Sequence, residues 1–396
     1  MDLPAAPPVL AVREGVRLRA FGDDDAGPVV AMAAEEAFTR WTSVPLGYGR
    51  EDAEAFMRRV SAGWARGQDL TWALEVDGRL AGSVSLRPEA DGGVGLGYGL
   101  AAAHRGRGVM SAALRTVLPW AAARGAAVVR WQAHVGNWPS RRVAWACGVA
   151  VEGTVRRRDD QRGELRDCWV GTWCPGDPTT PVQPWLEVPR VEVPLVTGDV
   201  VLRPWADEDA TRVVEACTDP TTRRWLPSLP APYGVEEASA YVESTRLAAA
   251  EGRAVGWCAA DARSGAALAS LQVFGLEGSR PAEIGYWAHP DARGRGVVTT
   301  AVRAAARHAL LPTDVGGLGL PAVLVRAEPA NVASVAVARR AGLAPAGWDL
   351  APAGPSGAPG GGPGGGPGGC GSRPRPPVRL DRFLLTADDL ATTPPS

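Results

Sequence analysis

Two short stretches of this chain carry residue types that could do chemistry: Arg105-Gly106-Arg107-Gly108-Val109-Met110 and Arg293-Gly294-Arg295-Gly296-Val297-Val298. Each ends a strand-like segment and opens a helix-like one. Two closely spaced glycines ahead of a helix let backbone N–H groups converge on one spot, backed by the positive end of the helix dipole. Such a turn is a phosphate cradle. An Arg/Gly cluster is also a common solvated connection, so the surrounding elements must decide its meaning.

Those elements occur twice, in the same order. Val16-Arg17-Leu18-Arg19 followed by Asp23-Asp24-Asp25-Ala26 recurs as Val200-Val201-Leu202-Arg203 followed by Asp207-Glu208-Asp209-Ala210. Both predict a strand and then an acid-capped helix. Arg40-Trp41 recurs as Arg224-Trp225, and Tyr48 as Tyr233, ahead of helices predicted over 52–64 and 237–250. Alternating strands are expected at 71–75 and 80–86, matched by 254–259 and 267–273. The strand 94–100 before the first Arg-Gly turn aligns with 282–288 before the second.

After each turn, apolar or small residues fall at helical spacing. They are Met110, Ala113, Leu114, Val117, Leu118 and Ala121 in one copy, and Val298, Ala301, Val302, Ala305, Ala306 and Ala309 in the other. Pro119 interrupts the first of these helices. A further strand follows each, at 127–133 and 322–327. Asn137-Trp138-Pro139-Ser140 and Asn331-Val332-Ala333-Ser334 then open short helices closed by Gly148 and Gly342.

The repeat sets the domain plan: one domain over 1–174, a proline-rich linker over 175–194, and a second domain over 195–396. A Gly/Pro-dominated loop, 351–377, interrupts the second copy and is expected to be disordered. The length of 396 residues agrees with two cores. A net charge of -1 gives no reason to expect nucleic acid. Every basic residue is arginine, so no lysine can serve as base or Schiff-base former. The six cysteines stand at no zinc-ligand spacing and read as free thiols, so no metal is expected. Neither a signal segment nor a membrane span is apparent, which makes the cytoplasm the expected location. A dinucleotide-binding fold is disfavoured, because Gly93, Gly95, Gly97 and Gly99 lie within a strand at the wrong spacing.

This ordered set of motifs resembles the GNAT acyltransferase superfamily. Leu202-Arg203-Pro204-Trp205, Glu283-Ile284-Gly285-Tyr286 and the Asn-x-x-Ser element resemble its ribosomal-protein N-terminal acetyltransferase branch, the RimJ/RimL type. The resemblance implies an α/β (α+β) protein of two tandem GNAT folds, each a mixed, splayed central sheet flanked by helices. It also implies acetyl-CoA as cosubstrate, lodged between two diverging strands, and a pseudo-dimer within one chain. The pyrophosphate would rest on amides from Gly106 to Met110, or from Gly294 to Val298, with Arg105, Arg107, Arg293 and Arg295 in the motif. Where the family has Gly or Ala at the sixth position, this chain has Met110 and Val298, whose side chains must then point away from the phosphates.

Aminolysis of a thioester asks mostly for positioning and proton transfer. An α-amino group, of pKa ~8, is far easier to neutralise than a lysine at ~10.4. Glu283 is the candidate base and Ser334 the candidate proton donor to the leaving sulfur, with Asn331 orienting cosubstrate or acceptor. In the first copy Ser140 and Asn137 are present, but Gly95 stands where the second has Glu283. The second domain is therefore expected to be the better-equipped catalyst, the first binding acetyl-CoA and either reacting through other groups or supporting the second. Tyr98 and Tyr286 read as sheet-packing aromatics, and Trp41, Trp225, Tyr48 and Tyr233 as helix-cap packing, with the lining of an acceptor groove as the alternative. The acceptor is a primary amine of unspecified kind; a non-catalytic acyl-CoA sensor and a scaffold are the alternatives.

Overall fold

The computed structural model describes residues 3–195, 198–277, 280–353 and 375–392. The chain divides into two compact units, Met1–Gln183 and Pro184–Ser396. In the first, the elements are β1 (Leu10–Arg13), β2 (Val16–Arg19), α1 (Ala26–Ala33), α2 (Glu36–Thr39), α3 (Arg50–Arg66), β3 (Leu70–Val76), β4 (Arg79–Pro88), β5 (Val94–Leu100), α4 (Val109–Ala123), β6 (Val129–His134), α5 (Trp138–Ala146), β7 (Ala150–Gln161) and β8 (Glu164–Trp173). The second repeats them as β9 (Val191–Val193), β10 (Val200–Arg203), α6 (Ala210–Thr218), α7 (Pro220–Trp225), α8 (Val235–Ala250), β11 (Ala254–Asp261), β12 (Ala267–Phe274), β13 (Ala282–Ala288), α9 (Val297–Leu310), β14 (Ala322–Ala327), α10 (Val332–Arg340), β15 (Ala344–Ala353) and β16 (Arg375–Thr386), and adds α11 (Ala387–Thr392).

Among the described residues each unit holds an eight-stranded mixed sheet, ordered β1-β2-β3-β4-β5-β6-β8-β7 and, in the same sense, β9-β10-β11-β12-β13-β14-β16-β15. One pair in each sheet is parallel, and it is short. β5 meets β6 only through Val94–Leu96 and Val129–Trp131, and β13 meets β14 only through Ala282–Glu283 and Val323–Leu324. Beyond these residues the strands part, which opens the sheet at the level of the Arg-Gly turns.

Local chemistry explains the repeated elements. Arg19 grips Asp25 through two nitrogens at 2.6 and 2.9 Å, and Arg203 grips Asp209 at 2.7 and 2.8 Å. Each aspartate also accepts an amide ahead of its helix, from Gly22 at 2.8 Å and from Ala206 at 2.9 Å, satisfying a donor that would otherwise be orphaned. The six predicted stripe positions of α4 and the six of α9 are all buried against the sheets. α4 runs unbroken through Pro119.

The proline-rich stretch 175–194, expected as a stiff, extended linker, divides between the units. The buried indole of Trp173 donates to the Pro178 carbonyl at 3.1 Å, and Trp145 donates to Gln183 at 2.7 Å. In the second unit Trp257 donates to the Pro189 carbonyl at 3.0 Å, as Trp72 does to Pro8 at 3.1 Å in the first. A buried indole N–H needs an acceptor, and proline carbonyls supply it. Part of the stretch is also strand, since β9 pairs with β10.

The hairpin at the end of each sheet differs between the copies. In the first, Arg162 and Gly163, both at positive φ (56° and 88°), join β7 to β8. In the second, the expected loop 351–377 is partly strand, with Ala353 paired to Arg375. Its middle, 354–374, lies outside the described residues.

Candidate active site

The Arg-Gly turns are built alike. Gly106 and Gly108 have φ of 74° and 69°, and Gly294 and Gly296 have 74° and 80°, in the left-handed region that favours glycine. Nothing lies within 4 Å of where a Cβ would stand at any of the four. The first helical bonds run from Ala112 to the Gly108 carbonyl and from Thr300 to the Gly296 carbonyl. The amides of Val109, Met110 and Ser111, and of Val297, Val298 and Thr299, thus precede any intrahelical acceptor. Met110 and Val298 are buried in the cores, so their side chains point away from this open, amide-lined end. The geometry suits a phosphate-type anion.

The first arginine of each motif does other work. Arg105 donates to the Leu100 carbonyl at 2.9 Å and to Glu35 at 2.5 Å. Arg293 bonds Asp219 and, at 3.0 Å, the Thr222 hydroxyl. Both guanidinia tie the turn to the short helix region upstream, so these residues position the cradle. Arg295 donates to the Asp291 carbonyl at 3.2 Å, and Arg107 is exposed, with its carbonyl accepting from Arg13 at 3.2 Å.

In the second unit the turn opens on a cleft of about 580 Å³ between β13, β14, α7 and α10. Glu283, Tyr286, Asn331 and Ser334 line it together with Arg293, Gly294, Gly296, Val297 and Val298. Four residues that the sequence reasoning passed over join them: Thr222, Leu226, Arg326 and Glu328. Trp225 also lines the cleft, whereas Tyr233 is buried in a core. Arg326 carried no signal in the sequence, because its relation to Glu283 comes from the pairing of β13 with β14.

Glu283 accepts from Arg326 through Nη2 at 2.6 Å and Nε at 2.8 Å. Burial pushes its carboxyl above the ordinary 4.5, Arg326 pulls it back, and Asp349 pushes it further up. Opposed influences thus act on this carboxyl, with burial the largest of them.

Tyr286 does more than pack the sheet. Its hydroxyl lies 2.8 Å from Ser334 Oγ and 3.2 Å from the Ser334 carbonyl, and burial raises its pKa to about 12, which keeps it a donor. Asn331 caps α10 by accepting the Ser334 amide at 3.2 Å, and Asn137 accepts the Ser140 amide at the same 3.2 Å. Both asparagines therefore fix the serine that follows them.

The first unit departs in two ways. Gly95, Gly97 and Gly99 face one side of β5, and that side is already filled. A Cβ at Gly97 would meet Ser85 Oγ at 2.6 Å, one at Gly99 the Phe38 ring at 2.6 Å, and one at Gly95 a Glu89 oxygen at 3.3 Å. A carboxylate matching Glu283 would thus stand against another carboxylate. The hydroxyl pair is also more fully engaged. Tyr98 donates to the Ser140 carbonyl at 2.8 Å and accepts from Ser140 Oγ at 3.0 Å, while the Trp131 indole donates to Tyr98 at 3.0 Å and to Ser140 Oγ at 3.3 Å.

Among the described residues no group of three or more His, Cys, Asp or Glu is disposed to hold a metal ion, and no helix is long and apolar enough to cross a membrane.

Comparison with known proteins gives a direct result. A family model described as "Acetyltransferase (GNAT) domain" matches residues 16–150 and again residues 199–344. A search of curated proteins returns no relative. Solved structures similar to part of the chain include an acetyltransferase from Salmonella typhimurium that modifies the N-terminal serine of ribosomal protein L7/L12. It is 19% identical, covers 42% of this chain and 99% of that one, and gives a TM-score of 0.40. RimJ from Mycobacterium smegmatis, in complex with CoA-disulfide, is 21% identical, covers 43% and 90%, and gives 0.39. The microcin C7 self-immunity acetyltransferase MccE, in complex with acetyl-CoA and AMP, is 18% identical, covers 44% and 98%, and gives 0.40.

Proposed function

The chain belongs to the GNAT acetyltransferase family, with the family's domain present twice, and from that premise we propose that it acetylates a primary amine mainly through its second unit. It is an acetyl-CoA-dependent N-acetyltransferase; the assignment of labour between the units and the residues that carry it are our reading. One observation carries that reading: Glu283 lines the cleft beside the second cradle, and Gly95 stands at the matching point of the first.

The residues fit the cosubstrate. Amides of Val297, Val298 and Thr299 would hold the pyrophosphate, and the open space at Gly294 and Gly296 would let it approach the backbone. Bound there, acetyl-CoA supplies an activated acyl carbon. Glu283 takes a proton from the attacking amine, directly or through one water, and Arg326 holds the carboxylate in place. Tyr286 steers the Ser334 hydroxyl, which donates toward the leaving sulfur. Asn331 fixes the serine backbone. Arg105 and Arg293 hold the turns, and Met110 and Val298 anchor them to the cores.

The acceptor is a primary amine, either a protein N-terminus or a small molecule, and the reaction is expected in the cytoplasm without nucleic acid. Each of the two units, Met1–Gln183 and Pro184–Ser396, carries one copy of the family's domain. The test is a thiol-release screen of amine acceptors with acetyl-CoA on the full chain. Glu283→Gln should lower turnover about 100-fold. Thermal protection by acetyl-CoA without thiol release on any amine would establish a binding module in place of an enzyme. Protection at 100 times Kd should amount to about 2.7 kcal/mol, and its absence would favour a scaffold.

A further inference from the structure

We propose that the first unit has an acyl-transfer base of its own, the imidazole of His134 oriented by Asp159. This rests on the acetyltransferase reading above and concerns the unit that lacks the Glu283 carboxylate.

β5 and β6 separate after Leu96 and Trp131, so the last residues of β6 stand in the gap where the strands part. His134 is the final residue of β6. Its counterpart in the second unit is Glu328. Each stands three residues before the capping asparagine, and each offers its carbonyl to that asparagine's amide, at 3.0 Å for His134 and 2.9 Å for Glu328. Glu328 lines the second-unit cleft. By this equivalence, the first unit carries an imidazole where the second carries a carboxylate on the wall of its site.

The ring is 7% exposed, and its Nε2 lies 2.8 Å from Asp159 Oδ2 on β7. Among the described residues Nδ1 has no protein hydrogen-bond partner. A carboxylate on one ring nitrogen fixes the tautomer and aims the ring, leaving the other nitrogen with a free lone pair. A packing role needs neither feature. The other charged and titratable groups around the ring are Arg158 on β7 and Asp167 and Cys168 on β8, with Cys168 directly opposite His134 in the ladder. Burial pushes the Cys168 thiol up to about 11, so it remains protonated and does not compete as a base.

In the proposed step the amine nitrogen bonds to the acetyl carbon while the carbon–sulfur bond breaks. The proton lost by nitrogen goes to His134 Nδ1, the sulfur departs as thiolate and is protonated by solvent, and the imidazolium returns its proton to solvent. The products are one amide and one free thiol.

The experiment uses the full chain carrying Glu283→Gln, with thiol release from acetyl-CoA followed over an amine panel. The background variant should keep a slower activity. Adding His134→Gln should remove about 100-fold of it. Adding Asp159→Asn should lower kcat of that residual activity about 10-fold and leave KM for acetyl-CoA unchanged, because the ring loses its orienting carboxylate while the cradle is untouched. That split between kcat and KM is a readout that a structural contact would not produce, and it holds even if the His134 variant folds poorly. An active wild type whose Glu283→Gln form releases no thiol overturns the proposal and leaves the acetyltransferase reading standing. So does a residual activity whose rate ignores both added substitutions. A wild type that releases no thiol with any amine overturns the parent reading and this proposal together.

Discussion

Glu283 and Arg326 form an ion pair on adjacent strands, Nη2 to Oε2 at 2.6 Å, at the point where β13 and β14 part. The pair holds a carboxylate that burial pushes toward neutrality, with Arg326 as the main opposing influence. Replacing Arg326 with methionine should therefore raise the Glu283 pKa further. A base works deprotonated, so the acid limb of kcat/KM should move to higher pH, with the plateau at high pH reduced less. A pH–rate series on Arg326→Met shows this directly. An unmoved limb would mean that Glu283 is not the group that titrates.

The cradle glycines offer a second test. Gly296 has φ of 80° and open space around it, so Gly296→Ala introduces backbone strain without a clash. A non-glycine residue in this region costs about 1–2 kcal/mol, and the strain falls on the turn that presents the amides. Weaker acetyl-CoA binding is expected with turnover at saturation largely kept. Calorimetric titration of Gly108→Ala and Gly296→Ala separates the units: each substitution should weaken one of two sites and leave its counterpart intact.

Arg293 lines the cleft, and its guanidinium holds Asp219 and Thr222. Arg293→Ala and Asp219→Ala should destabilise the chain by similar amounts, and a double-mutant cycle in thermal melts should show coupling on the order of 1 kcal/mol. The arginine holds the Asp219 carboxyl below its ordinary 3.8. A depressed folded pKa contributes stability above the unfolded value and loses it as pH falls. The difference between wild type and Asp219→Asn should accordingly be full at neutral pH and shrink below about pH 4.

The described cysteines sort by burial. Cys147, Cys168, Cys217 and Cys258 are buried and Cys174 is exposed. Burial lifts the Cys147 thiol to about 11 and the Cys258 thiol to about 12, far from the thiolate form that alkylates. Mass-spectrometric mapping after brief treatment with a thiol reagent should find Cys174 modified and these four spared until denaturant is added. Early labelling of Cys147 or Cys258 would contradict the packing described.

The sequence by itself determined the duplication, both strand–turn–helix cradles and the buried stripes of α4 and α9. All of these rest on short-range patterns: helical periodicity, strand alternation and glycines at fixed offsets. It also singled out Glu283 and Ser334, because motif order alone brings them near the turn. The tertiary structure decided what depends on strand pairing and on contacts far apart in the chain. Arg326 reaches Glu283 only because β13 lies beside β14, and Tyr286 reaches Ser334 across 48 residues. Arg105 and Arg293 turn away to Glu35 and Asp219, partners more than 60 residues upstream. The stretch 175–194 joins the two units because buried indoles, invisible in a proline count, need its carbonyls. Local periodicity records which face of an element is apolar; which polar groups meet across the fold is set by register and closure of the sheets, and only the folded chain specifies those.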